Sequence, residues 1–352
     1  MNYDIFDEQY YLASYPWLKP AIDAGIIKSG REHFEKFGQA AGLTKISRYF
    51  DEDTYLEGNP DLKPFVRTVN PNAPFATGLD HFIQYGYEEG RTRVSPEYDE
   101  AFYLANNQQL QPFIQNGTFK NGYQHFIQFG LKEGEFGTSF LETRYLESNP
   151  DVRRVVESGA LKTGREHYFN FGKNEPNRSA TFVGTSGNDI LTGLGVGDTV
   201  LIGVELSDVT RINGVPFPRP SYGSDGSNEF DTLTGGSGRD TFELRSISVG
   251  IGSGRPMISF DQLYIGPGFA TIRNFTQGQD IIELAISSDR LLVFPINNNR
   301  DLAIQQKGFL VVNNGVTETT PSDTIAVIEG GGNLSLNILP EALPSGFKSF
   351  LG

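Results

Sequence analysis

Apolar and aromatic positions recur with a long period through the first half of the chain. Four imperfect copies of 41 to 48 residues align, spanning 6–49, 50–97, 98–139 and 140–180. Each opens on an aromatic residue (Phe6, Phe50, Tyr98, Phe140) and an acidic stretch that leads to a Tyr-Leu pair: Tyr11-Leu12, Tyr55-Leu56, Tyr103-Leu104 and Tyr145-Leu146. Each closes on a histidine-aromatic motif: HFEKFG from His33, HFIQYG from His81, HFIQFG from His125 and HYFNFG from His167. A fixed period of this size marks units that stack or pair with their neighbours. Within a copy the pattern predicts about three short helices. Asn59-Pro60 and Asn149-Pro150 read as an N-cap followed by proline at the first helical position. The third helix begins at a glycine such as Gly30 or Gly164. It ends at Gly38, Gly86, Gly130 or Gly172, which suit the left-handed residue that terminates a helix. A histidine and the aromatic four residues later share one helical face, so His33 and Phe37, or His125 and Phe129, are expected in one seam.

Near residue 181 the periodicity changes. Short apolar runs separated by glycine-aspartate turns replace the helical pattern, and later LLVFPI, FLVVNN and DTIAVIEG read as antiparallel strands. The expected fold class is therefore α+β and multidomain. All-α tandem repeats over 1–180 precede an all-β domain over 181–352 that carries a short parallel β-roll and antiparallel capping strands. Residues 202–225, with Pro216, Pro218 and Pro220, read as an inserted loop.

Composition sharpens this picture. The chain has 352 residues and 41 glycines, against a usual share of about 7%, and 16 of those glycines precede residue 181. Its 29 basic and 43 acidic residues give a net charge of −14, which argues against a phosphate-tracking nucleic-acid binder and favours cations or cationic partners. With no cysteine, disulfides, thiolate metal sites and a cysteine nucleophile are excluded. No apolar run approaches the ~20 residues of a membrane span. Asp4, Asp7 and Glu8 stand where a secretory signal would carry basic residues.

The turns carry the candidate chemistry. Four nine-residue units, GTSGNDILT from Gly184, GLGVGDTVL from Gly193, GSNEFDTLT from Gly226 and GGSGRDTFE from Gly235, place an aspartate sixth: Asp189, Asp198, Asp231 and Asp240. Glycines allow positive φ and tight turns that aim carbonyl oxygens beside one carboxylate per turn, and hard oxygen donors suit Ca²⁺. The candidate ligands are those four aspartates with carbonyls at Gly184, Gly193, Gly195, Gly235, Gly236 and Gly238. The alternative is that the units are ordinary turns of a metal-free β-domain. The four histidines, one per unit, read as structural imidazoles hydrogen-bonded to a neighbouring turn, not as a metal cluster. Glu229 departs by standing where the fourth-position glycine belongs.

The units resemble the RTX, or haemolysin-type, nonapeptide G-G-x-G-x-D-x-U-x, with Leu191, Val200, Leu233 and Phe242 at the apolar position. The resemblance implies a parallel β-roll with calcium between its turns. The stretch ATIRNFTQGQDIIELA, residues 270–285, is similar to the strand-turn-strand that caps such rolls, with Asn274 replacing a common aspartate. The four helical copies look like repeats that accompany RTX segments in large bacterial, especially cyanobacterial, secreted proteins. The resemblance implies a calcium-binding protein outside the cell or on its surface, exported by a type I transporter, with residues 1–180 attaching to a protein, cell-surface or matrix partner. The alternative is a non-enzymatic scaffold or linker in a larger, cytoplasmic assembly with a degenerate, structural RTX half. A glycan-binding module using exposed Tyr and Trp17 is a third reading. No HExxH helix and no G-x-S-x-G elbow occurs, so no catalytic residues are expected.

Overall fold

The computed structural model describes residues 4–207, 211–212, 215–216, 221–252, 255–308, 310–313, 316–319, 321–338 and 348–351. The chain is of mixed α+β class. Helical elements run from Glu8–Ser14 to Gly172–Asn174, strands begin at Ala180–Gly184, and one further short helix lies at Ser288–Arg290. Two compact units divide at Thr138 and Ser139, 42 residues before the strands begin.

Each copy opens with the same helix: Glu8–Ser14, Glu52–Gly58, Glu100–Asn106 and Glu142–Ser148. Asp7, Asp51 and Asp99 cap the first three by accepting the N–H three residues on, whereas Leu141 offers the fourth no cap. The glutamate at the head of each helix reaches forward to a later one. Glu8 accepts from Gly30 and Arg31 N–H, Glu52 from Gly78 and Leu79, Glu100 from Gly122 and Tyr123, and Glu142 from Gly164 and Arg165. One carboxylate thus satisfies two of the orphan donors of a helix start. Ser29, Thr77, Asn121 and Thr163 are the N-caps there.

Two expectations about the repeats are corrected. Asn59 and Asn149 do not cap the second helix. Their amides donate back to Tyr55 and Tyr145 carbonyls, both at 2.8 Å, and their oxygens accept from Arg91 and Arg178. Those arginines also clamp Asp61 and Asp151 with two bonds each, and the preceding helix end gains a partner that local capping would not supply. Nor are Gly38, Gly86, Gly130 and Gly172 left-handed; the positive-φ glycines of the first three copies' ends are Gly42, Gly90 and Gly134. The histidine motif of those copies widens into a π-turn, Phe34–Gly38, Phe82–Gly86 and Phe126–Gly130. It brings each glycine over a buried tyrosine hydroxyl. A Cβ at Gly86 would lie 2.1 Å from the Tyr55 hydroxyl oxygen, and the other three glycines are confined the same way. Glycine is required there by contact, not by φ.

In the first unit, Tyr11, Tyr55, Tyr103, Phe34, Phe82 and Phe126 form the centre of one core. Successive copies are joined by Gln39 to Asp80 at 3.0 Å and by Gln124 to the Tyr87 carbonyl at 2.7 Å. The fourth copy shares its core with the strands instead: Tyr145, Val152 and Tyr168 pack with Phe182, Leu191 and Leu201. Leu141 N–H donates to the Thr181 carbonyl, and Tyr168, which replaces the phenylalanine of the other copies, donates its hydroxyl to the Leu194 carbonyl. This sharing places the fourth copy in the second unit.

From Ala180 the chain alternates between two sheets. Sheet one joins Ala180–Gly184, Thr199–Ser207, Asp240–Glu243 and Ile281–Leu284 in parallel, then Lys348–Leu351 antiparallel. Sheet two joins Ile190–Thr192, Phe230–Thr234, Phe269–Arg273 and Asp323–Ile328 in parallel, then Asp301–Gln306 and Leu291–Ile296 antiparallel. Leu191, Leu201, Leu233, Phe242, Ile272 and Ile282 are fully buried in one core. The expected loop 202–225 is corrected in part. Residues 202–207 continue a strand, because Ile202 and Val204 are also buried in that core. Residues 208–210, 213–214 and 217–220 lie outside the described ones. The stretch 270–285 is a further turn of the winding and not its cap, since strands continue on both sheets beyond it.

Candidate metal centre

The winding brings three of the four expected aspartates to its corners, beside a fourth that the nonapeptide pattern did not include. Asp189, Asp231, Asp240 and Asp280 are all at most 1% exposed. In sheet two, Ile190 pairs with Thr232, so Asp189 stands beside Asp231. In sheet one, Thr199 pairs with Asp240 and Thr241 with Ile281, so Thr199, Asp240 and Asp280 form a row. Asp198 falls one residue out of that row and lies partly exposed, paired with the Arg239 guanidinium at 3.3 Å. The equal spacing of Asp189 and Asp198 in their nine-residue units therefore does not survive as equal placement, because strand pairing takes Thr199 as the partner of Asp240.

These carboxylates form a ladder. Asp189 N–H donates to Asp231 Oδ1 at 2.8 Å, and Asp240 N–H donates to Asp280 Oδ1 at 2.9 Å. Each step crosses 40 to 42 residues of sequence and one turn of the winding. A second donor comes from the turn just before the acid: Thr185 N–H to Asp189 Oδ2 at 2.7 Å and Thr276 N–H to Asp280 Oδ2 at 2.6 Å. The Tyr264 hydroxyl completes Asp231, and the Thr199 hydroxyl binds Asp240 Oδ1. Such charge-assisted bonds are the strong kind, and they fill lone pairs.

The glycine carbonyls are also engaged at the turn that matches the nonapeptide best. Asn274 Nδ2 donates to the carbonyls of Gly235 at 2.8 Å and Gly236 at 3.1 Å. Gln279 Nε2 donates to those of Ser237 and Gly238. The glycines themselves serve close stacking. A Cβ at Gly184 would come 1.7 Å from the Gly203 carbonyl oxygen, at Gly236 2.6 Å from that of Gly193, and at Gly238 2.2 Å from that of Gly197. Gly193 N–H donates to the Thr234 carbonyl at 2.8 Å. Among the six glycines expected as ligands, Gly195 has a positive φ, +101°, and it packs against the fourth repeat, where a Cβ would meet the Lys173 carbonyl oxygen at 2.5 Å.

Calcium asks for six to eight oxygens converging on one point with their lone pairs free. Here N–H and O–H groups point at the carboxylates, and amides point at the carbonyls. As arranged, protein donors engage the ladder carboxylates and the carbonyls of Gly235, Gly236 and Gly238. Among the described residues the buried carboxylate oxygen Glu229 Oε2 makes no hydrogen bond, whereas the Asp240 carboxylate is reached by the Gly236 backbone N–H as well as by the Thr199 hydroxyl. Burial pushes the Asp240 carboxyl up to about 6, partly offset by the Thr199 hydroxyl. Burial, with Asp231, Asp225 and Glu205 nearby, pushes Glu229 up to about 7. A glutamate in place of glycine thus introduces a buried acid with one poorly satisfied oxygen.

The four histidines stay one to a copy. The hydroxyls of Tyr11, Tyr55, Tyr103 and Tyr145 each lie 2.8 Å from Nδ1 of His33, His81, His125 and His167. Burial lowers the pKa of all four imidazoles and raises that of all four tyrosines, so both partners of each hydrogen bond favour their neutral forms, and the ring tautomer sets which of them donates. His33 and Phe37 meet at 5.9 Å and His125 and Phe129 at 5.7 Å, in the expected seam.

Asp280, Asn274, Gln279, Thr199 and Tyr264 complete the site. A signal for the first existed: TQGQDIIEL repeats the glycine, aspartate and apolar spacing of the nonapeptide one turn later. No family model, curated protein or solved structure matches the chain.

Proposed function

We propose that the chain is a non-catalytic scaffold, in which an all-α array of repeats offers an aromatic contact surface and an all-β roll, fused to the fourth repeat, needs no bound ion. The observation that carries this reading is the ring four residues after each histidine. Phe37, Tyr85, Phe129 and Phe171 are 57, 52, 45 and 55% exposed. A single exposed ring is ordinary. At one repeat position and each beside a Tyr-His pair, Phe37, Tyr85 and Phe129 of the first unit, and Phe171 in the second, are rings available for apolar contact with protein. No described helix is long and apolar enough to cross a membrane, and the acidic balance disfavours nucleic acid.

The test is site-specific photocrosslinking from these four positions in producing cells. One partner protein captured from several repeats supports the reading, and adducts no more frequent than from an exposed polar position such as Glu57 overturn it. The competing reading, a secreted protein whose roll calcium orders, takes over if the full chain gains β-structure cooperatively when calcium is added after chelation.

A further inference from the structure

The second, third and fourth copies set charged groups beside the same Tyr-His pair, and in the third the cation is missing. In the second copy the Arg91 guanidinium donates to Asn59 Oδ1 at 2.9 Å, to both oxygens of Asp61 at 3.1 and 3.0 Å, and to Glu89 at 2.9 Å. In the fourth, Arg178 holds Asn149, Asp151 and Glu175 in the same way, at 2.6 to 3.1 Å. The third copy keeps the asparagine as Asn107, 2% exposed, but Glu135 stands at the position of Arg91 and Gln109 at that of Asp61. The Gln109 amide donates to Asn107 Oδ1 at 2.9 Å, where the other copies use the guanidinium. Asn107 Nδ2 lies 3.4 Å from Glu135. Glu133 and Glu135 act electrostatically on Tyr103 and His125, just as Glu89 and Arg91 act on Tyr55 and His81. Among the described residues no cation pairs with Glu133 or Glu135. Beside them Phe119 and Phe129 flank the His125 ring at 5.2 and 5.7 Å, Phe119 partly and Phe129 45% exposed. The first copy has apolar Leu43 and Trp17 at the two changed positions and leaves no charge to balance.

We propose that the third copy takes from a partner protein the guanidinium that the second and fourth copies supply themselves: an arginine side chain flanked by apolar residues, held by Glu133 and Glu135 beside Phe119 and Phe129. The molecule itself shows which group fits, since arginine fills the equivalent place twice. A guanidinium takes carboxylate oxygens in a fork and stacks on aromatic faces, whereas a lysine ammonium offers the charge without either geometry. The inference rests on the reading of the rings as a protein-contact surface and names the partner's chemistry at one of them.

The four histidines, one to a copy, report on the copies separately. The full chain, isotope-labelled at histidine, is titrated at fixed pH with the capped tripeptide acetyl-Leu-Arg-Phe-amide and with its citrulline counterpart, which keeps the shape and loses the charge, and the ring signals are followed by NMR. The His125 signal is expected to move saturably with the arginine peptide while those of His33, His81 and His167 stay, and the citrulline peptide to bind about tenfold more weakly through loss of a charge-assisted pair. The double substitution Glu135→Arg with Gln109→Asp, which rebuilds the set of the second copy, is expected to abolish the response; if it does not fold, Glu135→Gln is read in its place and weakens binding severalfold. No saturable movement at His125, equal movement at several histidines, equal affinity for the citrulline peptide, or unchanged binding by the folded variant each overturns the proposal. If that happens while photocrosslinking from Phe37, Tyr85 and Phe171 captures one partner, the contact-surface reading survives. Absence of specific adducts from all four rings overturns that reading and the protein partner assigned here with it.

Discussion

The first three repeats and the two-sheeted winding tie one turn of chain to another by the same means, a buried polar side chain, but with groups of opposite acid–base character. In the repeats the tie is an imidazole hydrogen-bonded to a tyrosine hydroxyl, and burial lowers its pKa. In the winding it is a carboxylate that accepts from backbone and hydroxyl donors, and where the shift is resolved burial raises its pKa. Burial disfavours the charged form in both cases. One architecture therefore protects a base from gaining a proton, and the other makes an acid reluctant to lose one.

The comparison is broken most drastically by cutting the chain. A fragment 181–352 lacks the fourth repeat, whose Tyr145 and Tyr168 lie in the same core as the strands. It is expected to lose cooperative melting in calorimetry, while 139–352 keeps it. Equal melting of the two fragments would show that the fourth repeat is only an appendage.

Next in size, Gly86→Ala forces a methyl against the Tyr55 hydroxyl. Overpacking of this kind costs about 3 kcal/mol, measurable by urea unfolding of residues 1–138. Gly117→Ala is the contrast, since its added Cβ meets nothing within 4 Å and any cost there comes from its φ of +80°.

Removing a single donor from the ladder should cost less. Tyr264→Phe leaves Asp231 Oδ2 without its hydroxyl, with an expected loss of about 2 kcal/mol. Tyr55→Phe removes the matching bond to His81, at about 1 kcal/mol, because a neutral pair is weaker. Equal costs would remove the distinction between charged and neutral ties.

The smallest effects are in pH dependence, and they have opposite signs. With a lowered folded pKa, His81 contributes stability that is present above the unfolded value near 6.5 and is lost as pH falls below it. Glu229, raised to about 7, makes its best contribution below the unfolded value near 4.3 and loses it as pH rises through 7. Glu52 and Glu100 in the repeats are also raised by burial, so the profile of the whole first unit mixes both signs and single substitutions are needed. Glu229→Gln should flatten the fall in stability between about pH 5 and 8, and His81→Gln should flatten the fall below about pH 6.5. Denaturant midpoints across pH that move the other way for either variant would contradict the assigned burial effects.

Much of the fold is legible in the chain. The four copies, the short helices and the strand-forming turns follow from patterns a few residues long. What fails is specific. Asn59 looks like a cap, because asparagine before proline usually is one, yet its partners are Tyr55 and Arg91, the latter 32 residues away. Asp198 looks equivalent to Asp189, yet pairing puts Thr199 in the row with Asp240. Gly86 looks like a helix terminator, yet a tyrosine hydroxyl claims its space.

By itself, then, the sequence determined where backbone turns, extends or coils, since those choices rest on local sterics and on hydrogen bonds between near neighbours. Only the tertiary structure decided what the buried carboxylates do. The backbone N–H donors of Asp231 and Asp280 arrive from a neighbouring strand 40 to 42 residues distant, and the register that brings them there is set by the packing of both sheets around one core.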